Sequence, residues 1–349
     1  MGAKEKKREK VLMTFVRYAT FAKRDVQILE KEFDVSLYHF NTENKYLLPW
    51  AFVKQFFYLI FNITKFKSIV TQSSGYLSFI PVVLGKLFKV PVIIIAIGTD
   101  CARLPEINYG SHDKKIIAWF TRFSFKHASL ILPVHRSLTE RRYSYINVRY
   151  PDQGIRAFCP KITTPIVEMV NGYDTEKWKI TRDVRKENTF LTVTFAIDRV
   201  GYFRKGIDTI ITAAKAFPNY SFTIVGKVRL IEDCPKNVTL IDNVPQEELL
   251  KIYNSHTYYL QLSMFEGFPN ALCEAMLCGC IPIGSDVAAI PDIIEDKGYI
   301  LSRKNDNNIV ELFGNLNKSI SPEEVRARIN DNFPLSRRTN EFLNHVKEI

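Results

Sequence analysis

A chain of 349 residues is long for one hydrophobic core, so two domains are the expectation. Its 46% hydrophobic and 24% charged residues exclude intrinsic disorder, and its six cysteines include no C-x2-C pair of the kind that holds zinc or runs redox exchange. The net charge of +11 is uneven: residues 1–175 hold 26 Lys and Arg against 14 Asp and Glu, whereas residues 176–349 hold 22 against 23, so the first half reads either as facing an acidic partner (nucleic acid, an anionic membrane face or a phosphate-bearing substrate) or, at least as readily, as a merely soluble basic surface.

The start, MGAKEKKREKVLMTFV, has an apolar stretch too short for a signal-peptide core, and Lys6 stands where myristoylation of Gly2 needs Ser or Thr. A cytoplasmic protein with reduced packing cysteines is expected. Lys10–Tyr18 reads as a strand, Asp25–Phe33 as a helix with Val26, Leu29 and Phe33 on one face, and Val35–Tyr38 as a second strand. No G-x-G-x-x-G turn joins the first strand to the helix, which disfavours bound NAD or FAD. Pro49–Ile63 sets Trp50, Phe52, Phe56, Phe57, Tyr58 and Phe61 beside Lys54, Lys65 and Lys67. It reads either as a helix lying in a bilayer interface or, as apolar stripes more often are, as a helix packed in the core. Neither it nor Phe79–Gly98 has the roughly 20 uninterrupted apolar residues of a spanning helix.

Ile69–Thr71 is apolar and leads through Gln72-Ser73-Ser74-Gly75 into a helix ending near Phe88. Val90–Ile97 has the β-branched, non-alternating character of a central parallel strand, and Gly98-Thr99-Asp100 follow it directly. Ligands of open α/β sheets sit beyond the carboxyl ends of strands, so Asp100 is a candidate functional group, with capping of the next turn as the alternative. Ile116–Lys126 reads as a helix, Leu130–Pro133 as a strand and Ser137–Arg142 as a helix start. Ile166–Val170 runs into the turn Asn171-Gly172-Tyr173-Asp174, and polar Thr181–Asn188 marks a linker, placing the domain boundary near residue 178.

Phe190–Ala196 opens a second α/β domain, with a helix over Ile207–Ala216. Between them cluster Arg199, Arg204 and Lys205, at a turn that on a doubly wound sheet faces the ligand crevice, where cations neutralise phosphate. Ser221–Gly226, Val238–Ile241, Tyr258–Leu262, Ile281–Gly284 and Tyr299–Leu301 complete six strands in a β/α alternation that predicts a parallel sheet, with a helix over Gln246–Tyr253 and another over Ser336–Ile349. The most informative stretch is Ser263–Ile294. Asn270 is placed to N-cap a helix through Cys278, and Gly279 to end it, so Glu266 falls in the loop and Glu274 just inside the helix. Strand, glycine-containing loop and helix N-terminus offer N–H groups to phosphate, yet two acids there need neutral hydroxyls as their target, which points to a sugar-nucleotide diphosphate. The plain alternative is a first-turn acid and a solvated loop acid.

Three segments together resemble the family 4 retaining glycosyltransferases: Asn171-Gly172-Tyr173-Asp174 through Trp178, Arg199 with Lys205-Gly206, and Glu266-Gly267-Phe268-Pro269-Asn270 through Glu274-Ala275-Met276 in the E-x7-E pattern, continued by Gly279–Pro282. The likeness is concentrated in residues 165–300. It implies an α/β GT-B fold, two Rossmann-like α/β/α domains with a cleft between them. Residues 1–178 would bind the acceptor, 179–335 the nucleotide-sugar donor, and 336–349 would pack back toward the first domain. Arg199 and Lys205 would hold the donor pyrophosphate, and Glu266 would contact the transferred sugar at the reacting centre. Gly267, Phe268, Pro269 and Asn270 would border sugar and phosphate, largely through backbone N–H groups. Glu274 would bind the ribose hydroxyls, with Val244 near the base. Gly98, Thr99 and Asp100 would form the acceptor side, Asp100 as a catalytic or orienting group. The chain departs from the family's pattern in lacking a glycine-rich first loop and in carrying Ala96-Ile97 where many members have a histidine before the Gly-Ser/Thr-Asp element.

No two aspartates are separated by a single residue, so a D-x-D metal site is not expected, and no cofactor is expected beyond the nucleotide diphosphate-sugar substrate. The resulting expectation is a retaining, metal-independent hexosyltransferase of polysaccharide or glycoconjugate biosynthesis. Its acceptor is expected to be a sugar, a lipid-linked or a phosphate-bearing molecule, with peripheral contact to the anionic cytoplasmic membrane face. The alternatives are another GT-B chemistry, of phosphorylase or nucleotide-sugar epimerase type, and a basic nucleic-acid-binding protein, for which no recognition motif is present.

Overall fold

The computed structural model describes residues 8–41, 44–181, 185–228, 234–317 and 319–349, and its strands form two parallel sheets and one short antiparallel ladder. The first sheet is laid down as β1 (Lys10–Phe15), α1 (Thr20–Leu29), β2 (Asp34–His39), α2 (Leu48–Asn62), β3 (Ser68–Gln72), α3 (Tyr76–Phe88), β4 (Val92–Ala96), α4 (Lys115–His127) and β5 (Leu130–Pro133), in the spatial order β2-β1-β3-β4-β5. Strands β3, β4 and β5 are buried along their whole length, as their apolar runs require in a sheet covered on both faces. Helix α1 starts at Thr20, five residues ahead of the expected start, which carries Asp25 inward onto the helix's buried face.

Ser137–Arg142 does not begin a helix. His135 accepts the Ser137 N–H and closes a single 3₁₀ turn over Arg136–Leu138, after which β6 (Arg141–Arg142) pairs antiparallel with β7 (Asp152–Gln153), followed by α5 (Ile155–Phe158). The second sheet comprises β8 (Lys186–Ile197), α6 (Arg199–Arg204), α7 (Ile207–Ala216), β9 (Ser221–Val228), β10 (Val238–Ile241), α8 (Gln246–Ser255), β11 (His256–Gln261), α9 (Asn270–Leu277), β12 (Ile281–Ser285), α10 (Ile290–Ile294) and β13 (Tyr299–Leu301). Its order, β10-β9-β8-β11-β12-β13, turns back between β8 and β11, so a crevice opens beyond the carboxyl ends of these two central strands.

Three further helices close the chain: α11 (Asp306–Gly314), α12 (Pro322–Asn332) and α13 (Leu335–Glu348). A full capping box between Ser321 and Glu324 starts α12. The chain passes between the sheets twice, and the two passages are tied together: Tyr173 donates its N–H to the Phe333 carbonyl and Leu335 donates to the Tyr173 carbonyl, both at 2.9 Å. Helix α13 then lies on α1. There the Arg338 guanidinium, 3% exposed, forks onto Asp25, 2% exposed, with Nε to Oδ1 at 2.9 Å and Nη2 to Oδ2 at 3.0 Å. Its Nη1 donates to the carbonyls of Met169 and Val170, so the fork's burial leaves few donors unpaired.

Candidate active site

Strand β8 is followed by Asp198, whose carboxylate accepts the Gly201 N–H at 2.6 Å and starts α6. Arg199 is the first residue of α6, and its side chain lies outside the described residues. The corner between α6 and α7 is Gly206, with φ +71°, and a Cβ there would sit 2.0 Å from the Leu262 carbonyl oxygen. Only glycine lets this corner rest against the end of β11. The Met264 N–H also donates to the Arg204 carbonyl at 2.7 Å.

This docking brings together two residues 61 apart in sequence: Lys205 Nζ donates to Glu266 Oε1 at 2.5 Å. Ser263 Oγ at 2.8 Å and Gln261 Nε2 at 3.3 Å donate to the same oxygen. Among the described residues, Oε2 has no partner. Burial would raise the Glu266 carboxyl, but the Lys205 and Arg204 charges and the Lys205 and Ser263 hydrogen bonds outweigh it and hold it below the ordinary value. In the sequence pattern Arg204 is one of three clustered cations with no role of its own. In the structure its guanidinium lies over the Tyr109 ring, 5.4 Å from the centroid.

The facing wall is the loop after β4. A Cβ on Gly267 would sit 2.1 Å from the Ile97 carbonyl oxygen, so this loop and the Glu266 loop touch backbone to backbone. Thr99 is exposed, its Oγ1 2.8 Å from the Tyr109 hydroxyl. Asp100 faces inward, away from the exposed Thr99. It is fully buried, Oδ1 accepts the N–H groups of Ile97 and Gly98, and Oδ2 accepts from the Ser74 N–H and the Ser73 hydroxyl. Burial lifts its carboxyl above the ordinary value, against amide donors that favour the ionised form. Its work is to pin the loops after β3 and β4 to each other.

Asn270 is likewise not the N-cap of α9. That place falls to Pro269, and Asn270 is the first helical residue. Its Oδ1 accepts from the Tyr173 hydroxyl at 2.8 Å and from Asn171 Nδ2 at 3.2 Å, fastening α9 to the first passage between the sheets. Phe268 is buried against Phe333 and Tyr173 at the same junction. Asn171 and Tyr173 belong to the turn motif visible in the sequence, but their partner, 97 to 99 residues on, does not follow from it.

Glu274 is the fifth of the eight residues of α9, part-buried, and its carboxyl has no hydrogen bond or ion pair among the described residues. Burial pushes its carboxyl up to about 7, with the Arg24 and Lys177 charges holding back a larger rise. Arg24 stands over the Tyr173 ring and donates to the Gly172 carbonyl at 2.6 Å. Val244 follows β10, the outermost strand, two strands from β8, and packs part-buried on the core. Glu266, Gly267, Phe268, Asn270, Asn171, Ile97 and the Asp25–Arg338 fork all border one cavity of ≈ 150 Å³ at the base of the cleft. Among the described residues, no three His, Cys, Asp or Glu side chains gather in a metal-holding group.

Residues 179–333 match the family model described as glycosyl transferases group 1. A phosphatidylinositol N-acetylglucosaminyltransferase component of Arabidopsis thaliana is 26% identical over 175 residues, which take in 46% of this chain and 38% of that protein. Among solved structures, the sucrose-phosphate synthase of Thermosynechococcus elongatus superposes with a TM-score of 0.75 at 12% identity, over 98% of this chain and 99% of its own. Anabaena Alr3699/HepE, solved with UDP and glucose, gives 0.69 at 12% identity over 98% and 100%, and its UDP-glucose complex gives 0.70. The shared architecture is GT-B, two Rossmann-like domains facing each other across a cleft.

Proposed function

We propose, from a chain whose residues 179–333 are a group 1 glycosyltransferase domain on a GT-B fold, that it moves a sugar from a nucleotide diphosphate donor to an acceptor with retention of configuration. The observation that carries this reading is the asymmetry of Glu266. Lys205, Ser263 and Gln261 all converge on Oε1, so the carboxylate is held ionised and aimed, and Oε2 is left to accept from a sugar hydroxyl. Lys205 spends one of its three N–H donors on Glu266, and the others remain for diphosphate oxygens. Arg204 adds a second positive charge beside them.

In the proposed reaction the bond between the sugar's anomeric carbon and the diphosphate breaks, and the acceptor oxygen bonds to that carbon on the same face. The acceptor proton passes to the departing phosphate oxygen, so no protein base is required, consistent with Asp100 being engaged by three backbone amides and the Ser73 hydroxyl. Charge growing on the diphosphate is met by Lys205, Arg204 and the N-terminus of α9, preorganised donors that do the work elsewhere given to a metal. Glu274 accepts from the ribose hydroxyls. Residues 1–178 serve the acceptor and 179–335 the donor, with α13 tying the two halves together.

The deciding experiment follows nucleotide release and product formation from a panel of nucleotide-sugars, beginning with UDP-glucose, with and without candidate acceptors and with excess chelator. Glu266→Gln and Lys205→Met should each lower turnover by roughly 10²- to 10³-fold. Glu266→Gln should leave the donor's stabilisation of the fold in place. Full turnover by Glu266→Gln, or a strict Mg²⁺ requirement, would sink this assignment of roles. Turnover that needs phosphate, or that needs no acceptor and yields an epimer, would mark the phosphorylase or epimerase chemistry instead.

A further inference from the structure

Helices α2, α3 and α4 pack side by side on one face of the first sheet. Helix α2 buries only Gln55 and Leu59 and leaves a stripe at helical spacing facing outward: Trp50, Val53, Phe57 and Phe61. Leu87 on α3 and Ile116 and Trp119 on α4 extend it, and all of these except Val53 are more than half exposed. Ring contacts run beneath the stripe from helix to helix, Phe52 to Phe120 at 5.4 Å and Phe79 to Trp119 at 5.7 Å, so the surface is continuous. The core-packed reading of Pro49–Ile63 holds for one side only: Leu59 and Ile63 are in the core, while the opposite apolar side is left uncovered.

Positive charges predominate around this face, with half-buried Asp113 ahead of α4 as the exception. Residues 44–99 contain six lysines and no Asp or Glu. Lys54 lies 5.8 Å from the Trp50 ring centroid, and Lys65, Lys86, Lys89 and Lys115 are exposed nearby in the same helices or at their ends. At 15 residues α2 is roughly 22 Å long by its rise per residue, short of the about 30 Å of a bilayer core. No helix among the described residues is long and apolar enough to cross a membrane.

We propose that the α2–α4 face seats this protein on an anionic lipid bilayer, the aromatic stripe entering the interface and the lysines meeting the acidic headgroups. A second copy is disfavoured as the occupant, because two faces of the same positive sign repel. A pocket of ≈ 300 Å³ opens at the amino ends of the same helices, bordered by Leu48, Tyr76, Ile117, Ser73 and Thr99 and, among the described residues, by no charged side chain. On the glycosyltransferase reading above, this pocket lets a membrane-held acceptor with a neutral hydroxyl approach the cleft from the lipid.

The test is sedimentation of the full chain with phosphatidylcholine vesicles and with equimolar phosphatidylcholine and phosphatidylglycerol vesicles, at low and high salt. The protein should pellet with the anionic vesicles at low salt, release substantially at high salt and shift its tryptophan emission to the blue. Phe57→Ser with Phe61→Ser should lower partitioning at least about tenfold, and Lys54→Glu with Lys86→Glu should remove the preference for anionic lipid. Both pairs are exposed, so an unchanged thermal midpoint verifies the fold. Failure of the native protein to pellet at low salt, undiminished binding by the Phe57/Phe61 variant, or a concentration-dependent dimer that this variant abolishes would each overturn the proposal. Vesicle binding without any donor-induced thermal shift would leave the membrane face standing and sink the enzymatic reading alone.

Discussion

Gly98 and Gly267 meet across the cleft: a Cβ on Gly98 would sit 3.2 Å from the Gly267 amide nitrogen, and one on Gly267 would sit 2.1 Å from the Ile97 carbonyl oxygen. The contact is next to Glu266 and consists of backbone, which cannot rotate aside. Gly267→Ala must therefore push the β4 loop away and widen the cleft. Each domain keeps its own core, so the thermal midpoint should move little, while kcat/KM should fall by roughly 10²-fold from misplacement of the reacting groups. Calorimetry and steady-state kinetics on one preparation separate the two effects. Native kinetics would mean that the reacting state is more open than this one.

Glu274 predicts the pH dependence of donor binding. Its carboxyl sits at about 7 against an ordinary 4.5, and only the ionised form accepts two ribose hydroxyls well. Donor affinity should therefore weaken as pH falls through about 7, and Glu274→Gln should flatten the profile. The stability contribution runs the other way. The folded state holds this proton more tightly than the unfolded one, so the contribution is fully present below 4.5 and is lost as pH rises through about 7. Isothermal titration calorimetry on both sides of that value checks the first, and urea midpoints check the second. A flat binding profile in the native protein would remove Glu274 from the ribose.

The Asp25–Arg338 fork predicts a large and non-additive loss of stability. Asp25→Ala strands a guanidinium that is 3% exposed and should cost roughly 3–5 kcal/mol. Asp25→Leu with Arg338→Met removes both charges and should cost less than Asp25→Ala alone, although the Met169 and Val170 carbonyls lose their donor. Urea unfolding of the single and double variants measures the coupling. Equal costs that simply add would show the pair to be two independent residues.

Asp100→Asn separates a pinning role from a chemical one. An amide nitrogen facing the Ser74 N–H leaves one buried donor unmatched, so the variant should lose roughly 1–3 kcal/mol of stability. Turnover per folded molecule should stay near native. A stable variant with little turnover would return Asp100 to the acceptor side.

How much of this was legible differs residue by residue. Strand β5 at Leu130–Pro133 and helix α7 at Ile207–Ala216 fall where the sequence pattern puts them, because periodicity and burial are written in neighbouring residues. Ser137–Arg142 misled because its helical composition is overruled by a cap from His135 and a ladder to Asp152–Gln153. Asp100 stays open in the sequence between a ligand-facing and a turn-capping acid because position after a strand is shared by both, and its burial and four donors appear only in the structure.

The alternation of strands and helices, the cation corner at residues 199–205 and the seven-residue gap between Glu266 and Glu274 are short-range properties, readable without coordinates. The fold settled what depends on distant partners. It joined Lys205 to Glu266 across 61 residues and Asp25 to Arg338 across 313, turned Asn270 from a cap into a clasp, and left the apolar stripe of α2 uncovered. Local pattern shows which side chains avoid water, whereas packing in three dimensions selects what each of them meets.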